Sequence, residues 1–411
     1  MKTIYSDKAM MDQLIVNIGL LATPLGKGSL CGKNQGAVQF QKNVAVGIKN
    51  GKIAYIGSHA EMPGADEVID AGERLVTPGL VDAHTHLVFG GFRQHEFEKK
   101  LAGVPYLDIL KKGGGILSTV EATRAASYEQ LTAKGIGFLN EMINHGTTTV
   151  EIKSGYGLNL ATEIKQLSVI NDLGKNYDVV PTFMGAHAVP KEYKENPEDY
   201  VEYVIEEMIP VVARRKLAEY CDIFCEDSVF NISQSRRVLH AAKGHGLKLK
   251  IHADEIVPMG GATLAGEVGA VSAEHLIEAE DSGLDMMAKS GVIAVLLPAT
   301  SFYLEKKYAR ARDMIAKNIP VAVASDFNPG SSPSYNMQFV LNLACLKLKM
   351  TPQEALTAAT LNAAAAIGRA EQKGSIEIGK DADVVIWDAP DLNFLFYRYG
   401  NNQVYEVLKG G

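Results

Sequence analysis

The chain changes its hydrophobic rhythm twice. Over residues 14 to about 77 the pattern is that of strands. Leu14 to Leu21 is an apolar run, and Val44 to Ile48 and Ile53 to Ile56 alternate, with Asn50-Gly51 between them. Both central positions of a tight hairpin need positive φ, which Asn and Gly tolerate, so this stretch predicts a hairpin. Thr77-Pro78-Gly79 then breaks the pattern. From residue 80 to about 368, short apolar, β-branched runs alternate with longer helical ones. Strands are predicted at 80–86, 147–153, 179–187, 222–226, 247–252, 271–275, 292–297 and 321–326. Amphipathic stretches between them include 131–144, 200–218, 234–243 and 313–317. Near-continuous apolar strands separated by helices imply a parallel sheet covered by helices. Eight such units fit a (β/α)8 barrel. A doubly wound open sheet is the alternative, but no G-x-G-x-x-G follows the first of these strands. From about Gly374 the pattern is β again, with Ile376, Ile378 and 382–387 as strand positions and Gly379-Lys380-Asp381 as a turn. Each terminal β segment is too small for its own core. The expected organisation is an α/β protein. Residues 78–368 form the barrel, and residues 1–77 plus 369–411 combine into a small β-sandwich domain beside it. The first dozen residues read as an extension.

Composition narrows the setting. A length of 411 residues allows two or three domains. Lys and Arg total 41 against 48 Asp and Glu, a net charge of −7, which does not suit a nucleic-acid binder. Four cysteines, Cys31, Cys221, Cys225 and Cys345, are too few for a disulfide scaffold, and the spacing of Cys221 and Cys225 without a second pair reads as core rather than zinc ribbon. The polar N-terminus does not look like a signal peptide, and no apolar run approaches the roughly 18 residues that span a bilayer. These features point to a soluble cytoplasmic protein with no membrane or nucleic-acid partner.

The chemistry sits where the predicted strands end. Catalytic groups of such barrels lie at the C-terminal ends of the strands. Here those ends carry His84 and His86, Glu151 and Lys153, His187, Glu226, His252, His275 and Asp326; five of the ten histidines are in this set. His84 and His86 are two apart on a strand, so both imidazoles point to one face and can meet one ion. A bare His-x-His is more often two satisfied polar residues, but this pair follows an apolar strand and a turn. With His252 and Asp326 it makes a mixed nitrogen and oxygen donor set for a first-row metal ion, with room for water. Such an ion lowers the pKa of water from 15.7 towards about 7. Asp326 is the natural proton acceptor, and Glu255 and His275 are further acid-base or oxyanion-stabilising candidates. On spacing alone Glu255 also reads as an exposed loop carboxylate, and His275 as a core histidine.

The constellation His-x-His, His, His, Asp on eight β/α units, with β segments at both ends, resembles the amidohydrolase superfamily. The stretch Gly79-Leu80-Val81-Asp82-Ala83-His84-Thr85-His86 is similar to that superfamily's first-strand motif. Longer stretches narrow the resemblance: 100–103, 113–120, Glu151-Ile152-Lys153-Ser154-Gly155-Tyr156-Gly157-Leu158, 184–187, Ile251-His252-Ala253-Asp254-Glu255 and Ser325-Asp326-Phe327-Asn328-Pro329-Gly330-Ser331-Ser332. Together they resemble the imidazolonepropionase family, which opens the cyclic amide of 4-imidazolone-5-propanoate to N-formimidoyl-L-glutamate in histidine degradation. The resemblance implies one zinc or iron ion, divalent or trivalent, per subunit, and a homodimer. It implies metal ligation by His84, His86, His252 and Asp326, and catalysis by Asp326, Glu255 and His275. It implies substrate or product binding by Arg93, Tyr156, His187, Glu255, Asn328, Gly330 and Ser331. The substrate's propanoate tail is an anion, and Arg93, seven residues after His86, can clamp a carboxylate with two hydrogen bonds; without the resemblance it would equally be a surface ion-pair partner. Lys153 is read as a structural or supporting residue, not a carbamylated bridge between two metals. The triple glycine at 113–115 reads as a flexible loop, and His95 as a neighbour of Arg93 without an assigned role.

Two other readings compete. A related ring deaminase would share the metal set but have no need for Arg93 or the 330–332 loop. A catalytically dead scaffold of the same fold would be expected to have lost ligands.

Overall fold

The apolar run expected as one strand is two strands in two different sheets. β1 (Met11–Val16) ends at Asn17, whose φ of 52° turns the chain, and β2 (Leu20–Pro24) starts a new sheet. The crossing needs Gly19, because a Cβ there would come within 1.9 Å of the Glu73 carbonyl oxygen. The computed structural model describes residues 10–103 and 114–410. The extension expected over the first dozen residues therefore lies outside the described residues up to position 9, while Met11 and Asp12 belong to β1.

β3 (Val38–Gln41) follows, then β4 (Val44–Lys49) and β5 (Lys52–Ser58). These last two form the predicted hairpin, with Asn50 and Gly51 at φ 51° and 69°. β6 (Ala65–Asp70) and β7 (Leu75–Pro78) complete the N-terminal strands. The barrel strands are β8 (Leu80–Thr85), β9 (Thr147–Lys153), β10 (Asp178–Ala186), β11 (Tyr220–Cys225), β12 (Lys248–Ala253), β13 (Ser272–His275), β14 (Ile293–Leu296) and β15 (Val321–Val323). β16 (Val384–Trp387) and β17 (Val404–Leu408) come last.

Among the described residues the strands make three sheets: β5-β4-β1-β6, the eight-stranded β15-β14-β13-β12-β11-β10-β9-β8, and β17-β16-β7-β2-β3. The third is shared between the chain ends, since β16 pairs antiparallel with β7 and Trp387 donates its indole N–H to Thr77 Oγ1 (2.8 Å). Buried Ile15, Val46 and Ile53 from one terminal sheet pack with Leu21, Val76 and Ile386 from the other, forming a sandwich core. Ile376 and Ile378 are not strand residues. There Lys380 Nζ donates to the carbonyls of Gly26 and Ala370 (2.6 and 2.7 Å), which organises an irregular turn.

In the eight-stranded sheet every neighbouring pair is parallel. Its first and last strands meet through the segment after β15. The Ser325 N–H donates to Asp82 Oδ1 (3.0 Å), the Asp326 N–H to the His84 carbonyl (3.0 Å) and the His86 N–H to the Phe327 carbonyl (2.8 Å). The strand expected over 321–326 ends at Val323, and Asp326 has a φ of 53°, in the left-handed region that breaks a ladder. The helix expected over 200–218 is Pro197–Tyr203, a π turn at Val204–Met208, and Ile209–Arg214. Pro210 has no N–H for an ordinary helical bond, and the wider turn absorbs this. The helix Tyr128–Asn144 starts three residues before the apolar pattern, at a capping box of Ser127 and Gln130. No helix of the described residues is long and apolar enough to cross a membrane.

Candidate metal centre and active site

His84 on β8 and His86, one residue past its end, face the same way, with ring centroids 5.3 Å apart. His252, near the end of β12, lies with its ring 4.6 Å from that of His84 and 5.5 Å from that of His86. All three are buried, and one potential ligand atom from each lies within 4.8 Å of the other two. The barrel seam brings Asp326 to the same point, with Oδ1 3.4 Å from His84 Nε2 and 3.6 Å from His86 Nε2. Ligand atoms about 2.0–2.1 Å from a tetrahedral ion stand about 3.3 Å apart, so this spacing suits one ion.

The hydrogen bonds agree with that chemistry. His84 Nδ1 donates to Glu274, and His252 Nδ1 donates to Asp222 Oδ1 (3.1 Å). A carboxylate on Nδ1 fixes the tautomer and leaves the Nε2 lone pair free. Among the described residues, His84 Nε2, His252 Nε2 and Asp326 Oδ1 are buried without a hydrogen-bond partner. Buried lone pairs converging without donors call for a cation. The other oxygen of Asp326 accepts from Thr300 Oγ1 (2.6 Å). These residues fit a single metal ion.

Two further groups border the histidines. The ring of His275 lies 5.2 Å from that of His252, and its Nε2 is 3.5 Å from Glu255 Oε2. Burial pushes His275 down to about 3, so it is neutral at pH 7. Burial, reinforced by the nearby Asp326 charge, pushes Glu255 up to about 8, so it carries a proton there. On the other side His187 stacks on His86 at 4.9 Å, and the Tyr156 ring lies 5.2 Å from that of His187. His187 Nδ1 donates to the Gly155 carbonyl (3.0 Å). The loop 154–158 is held from the helix Leu160–Leu173. Glu163 accepts from the N–H groups of Gly155, Gly157 and Leu158 (3.1, 2.8 and 2.9 Å), and Gln166 accepts from that of Tyr156 (3.2 Å).

After Asp326 the chain turns through Asn328, whose Oδ1 accepts from the N–H groups of Gly330 and Ser331 (2.8 Å each) and whose Nδ2 donates to the Asp326 carbonyl (2.6 Å). The amide proposed for ligand recognition is thus committed to its own loop. Gly330 is the seat of Arg93, since a Cβ there would fall 0.9 Å from Arg93 Nη2. Among the described residues, Arg93 Nε is buried without a hydrogen-bond partner. His95 stands at the surface, 54% exposed, and does not join the site. Gly113 lies outside the described residues; Gly115 has a φ of 71° and donates to Glu96 Oε1 (2.6 Å) at the start of the helix Ile116–Ala125.

Residues 75–411 match the amidohydrolase family. An imidazolonepropionase of Alkaliphilus metalliredigens is 52% identical over 411 residues, covering 98% of this chain and 97% of that one. The chain belongs to the imidazolonepropionase family. An imidazolonepropionase of Bacillus velezensis is 49% identical over 406 residues, covering 98% and 96%. At the level of fold alone, an E. coli guanine deaminase superposes with a TM-score of 0.73 at 16% identity, covering 97% of both chains.

Several residues of this imidazolonepropionase-family site escape a reading based on strand ends. Asp222 and Glu274 lie inside strands rather than at their ends, yet they orient two of the histidines. Their signal is a carboxylate within a buried apolar strand, Cys221-Asp222-Ile223 and Ala273-Glu274. Thr300 and Glu163 sit on helices, and nothing in their local pattern links them to the site.

Proposed function

We propose that this protein hydrolyses the cyclic amide of 4-imidazolone-5-propanoate to N-formimidoyl-L-glutamate. The observation that carries the reading is the match at 52% identity over 98% of the chain to an imidazolonepropionase. The convergent donors described above support it. In this reading His84, His86, His252 and Asp326 hold one zinc or iron ion. When bound, the ion supplies a water acidic enough to attack an amide at neutral pH.

The chain's own residues do the rest. Water oxygen bonds to the ring carbonyl carbon, the carbon–nitrogen bond breaks, and a proton moves from the water to the departing nitrogen. Asp326 accepts that proton at its carboxylate, steadied by Thr300. Glu255, protonated at neutral pH, hands its own proton to the nitrogen and is reprotonated as Asp326 gives up the one it took, so that in sum one proton passes from water to nitrogen. His275 is neutral, and its Nδ1, buried without a hydrogen-bond partner among the described residues, is available to the developing oxyanion. Arg93 holds the propanoate tail against the Gly330 and Ser331 backbone, and Tyr156, His187 and Asn328 line and shape the ring's place. Residues 78–368 form the catalytic unit, and residues 1–77 and 369–411 support it. The enzyme works in the cytoplasm as a homodimer.

The test is turnover of freshly prepared 4-imidazolone-5-propanoate, followed by loss of its ultraviolet absorbance. Turnover that stops with a chelator and returns with metal is the expected result. A protein that holds one ion per chain but leaves this substrate untouched, and releases ammonia from carboxylate-free heterocycles, would be a deaminase. A folded protein that binds no metal and turns over neither would be a scaffold.

A further inference from the structure

Beneath the histidines the barrel holds a set of charged groups that no step above uses. Lys153, on β9, is wholly buried. Its Nζ donates to Glu151 Oε1 (2.9 Å), pairs with the Asp222 carboxylate at 2.8 Å from Oδ2 and lies 3.5 Å from Glu274 Oε2. Lys250 reaches the other oxygen of Glu274 at 3.4 Å and donates to Ser272 Oγ (3.1 Å). All five charged side chains are fully buried. Burying one of these charges alone would cost several kcal/mol, so the group is stable only as a unit.

The arrangement has one centre. Asp222 turns its other oxygen to His252, and Glu274 turns the oxygen nearer Lys153 to His84. Lys153 therefore stands between the two carboxylates that aim two histidines from two different strands. Glu151, two residues earlier on the same strand and face, fixes Lys153 in turn. Counted as ionised, Glu151, Asp222 and Glu274 outweigh Lys153 and Lys250 by one negative charge, which favours a cation above them.

We propose that Lys153 is a positioning residue for the metal centre: its ammonium locks Asp222 and Glu274 into one unit, which holds His252 and His84 in the geometry the ion requires. This inference rests on the metal reading of the site but not on the identity of the substrate. Lys153→Met removes the ammonium and keeps most of the stem. Lys153→Met with Glu151→Gln removes one charge of each sign, so the surplus of one negative charge is unchanged and only the positioning is lost.

The experiment measures Zn2+ affinity of the purified full chain by competition with a chromophoric chelator, and the visible spectrum of the Co2+-loaded protein. Circular dichroism and a thermal melt establish folding. Both variants are expected to fold, to bind Zn2+ about 10- to 100-fold more weakly than the unchanged protein, and to show shifted Co2+ bands. Folded variants with affinities within about twofold of the unchanged protein and superimposable spectra overturn the proposal. If neither variant folds even with Zn2+ present, Lys153 serves the barrel as a whole and the proposal also falls. An unchanged protein that binds no Zn2+ or Co2+ would instead refute the metal reading, a distinct result.

Discussion

The two sides of the site are built by opposite means. On the metal side, side chains hold side chains: Glu274 on His84, Asp222 on His252, Thr300 on Asp326. On the side proposed for the substrate, side chains hold backbone: Glu163 gathers three N–H groups of the Tyr156 loop, and Asn328 gathers those of Gly330 and Ser331. The reason lies in the elements beneath. A strand has already satisfied its backbone in the ladder, so only its projecting groups need fixing. A buried loop has not, and each N–H must find an acceptor before a side chain on that loop has a defined place. Damage to the metal side should therefore appear in kcat and metal content, and damage to the substrate side in KM.

The largest effect tests the metal side. Asp326→Asn should lower kcat by about 10³-fold or more in a protein that still folds, measured by turnover beside circular dichroism. Near-normal turnover would remove Asp326 from the chemistry. On the substrate side, Arg93→Ala should raise KM roughly 10- to 100-fold, with a much smaller effect on an imidazolone lacking the tail carboxylate. Equal losses on both compounds would mean that Arg93 is no carboxylate clamp.

A subtler break is Glu163→Gln, which turns an amide donor towards N–H groups that need an acceptor. It should raise KM roughly tenfold, leave metal content unchanged and speed hydrogen exchange at Gly155, Gly157 and Leu158. A loss of bound metal in this variant would show that the two sides are not separable. The smallest effect is one of pH. Glu255 is pushed up to about 8, so its protonated form is present below that value and is lost as pH rises through it. For the unchanged protein kcat/KM should fall on the alkaline side near pH 8; Glu255→Gln, which has no proton to hand on, should be slower at every pH, and its residual turnover should lack that limb. An unaltered limb in the variant would assign the ionisation elsewhere.

The same contrast explains what the sequence disclosed. All eight barrel strands were legible, because a strand buried on both faces reads as a short apolar run whatever surrounds it. β9 kept its expected ends, the others were displaced by one or two residues, and β15 lost three, its last residue being Val323 ahead of the left-handed Asp326. The histidines were legible through the period-two rule and their positions at strand ends. Asp222 and Glu274 were hidden by attention to those ends, and Glu163 because its link to Tyr156 exists only in three dimensions. At the chain termini, where strands are short and partly exposed, patterning was weaker. β1 and β2 merged into one run, β17 passed unseen, and Ile376 and Ile378 imitated a strand that the Lys380 turn does not make.

The barrel seam has a consequence for assembly. His84 and His86 come from the first stave and Asp326 from just beyond the last, with most of the chain between them. In the proposed site a single ion gripping all three would act as a clasp across a very long loop, the circumstance in which a cross-link restrains an unfolded chain most. A polypeptide cut short before residue 326 could keep all three histidines, but it could not fasten the clasp. Tight retention of the ion would then mark a chain whose far end has been made and has found its beginning.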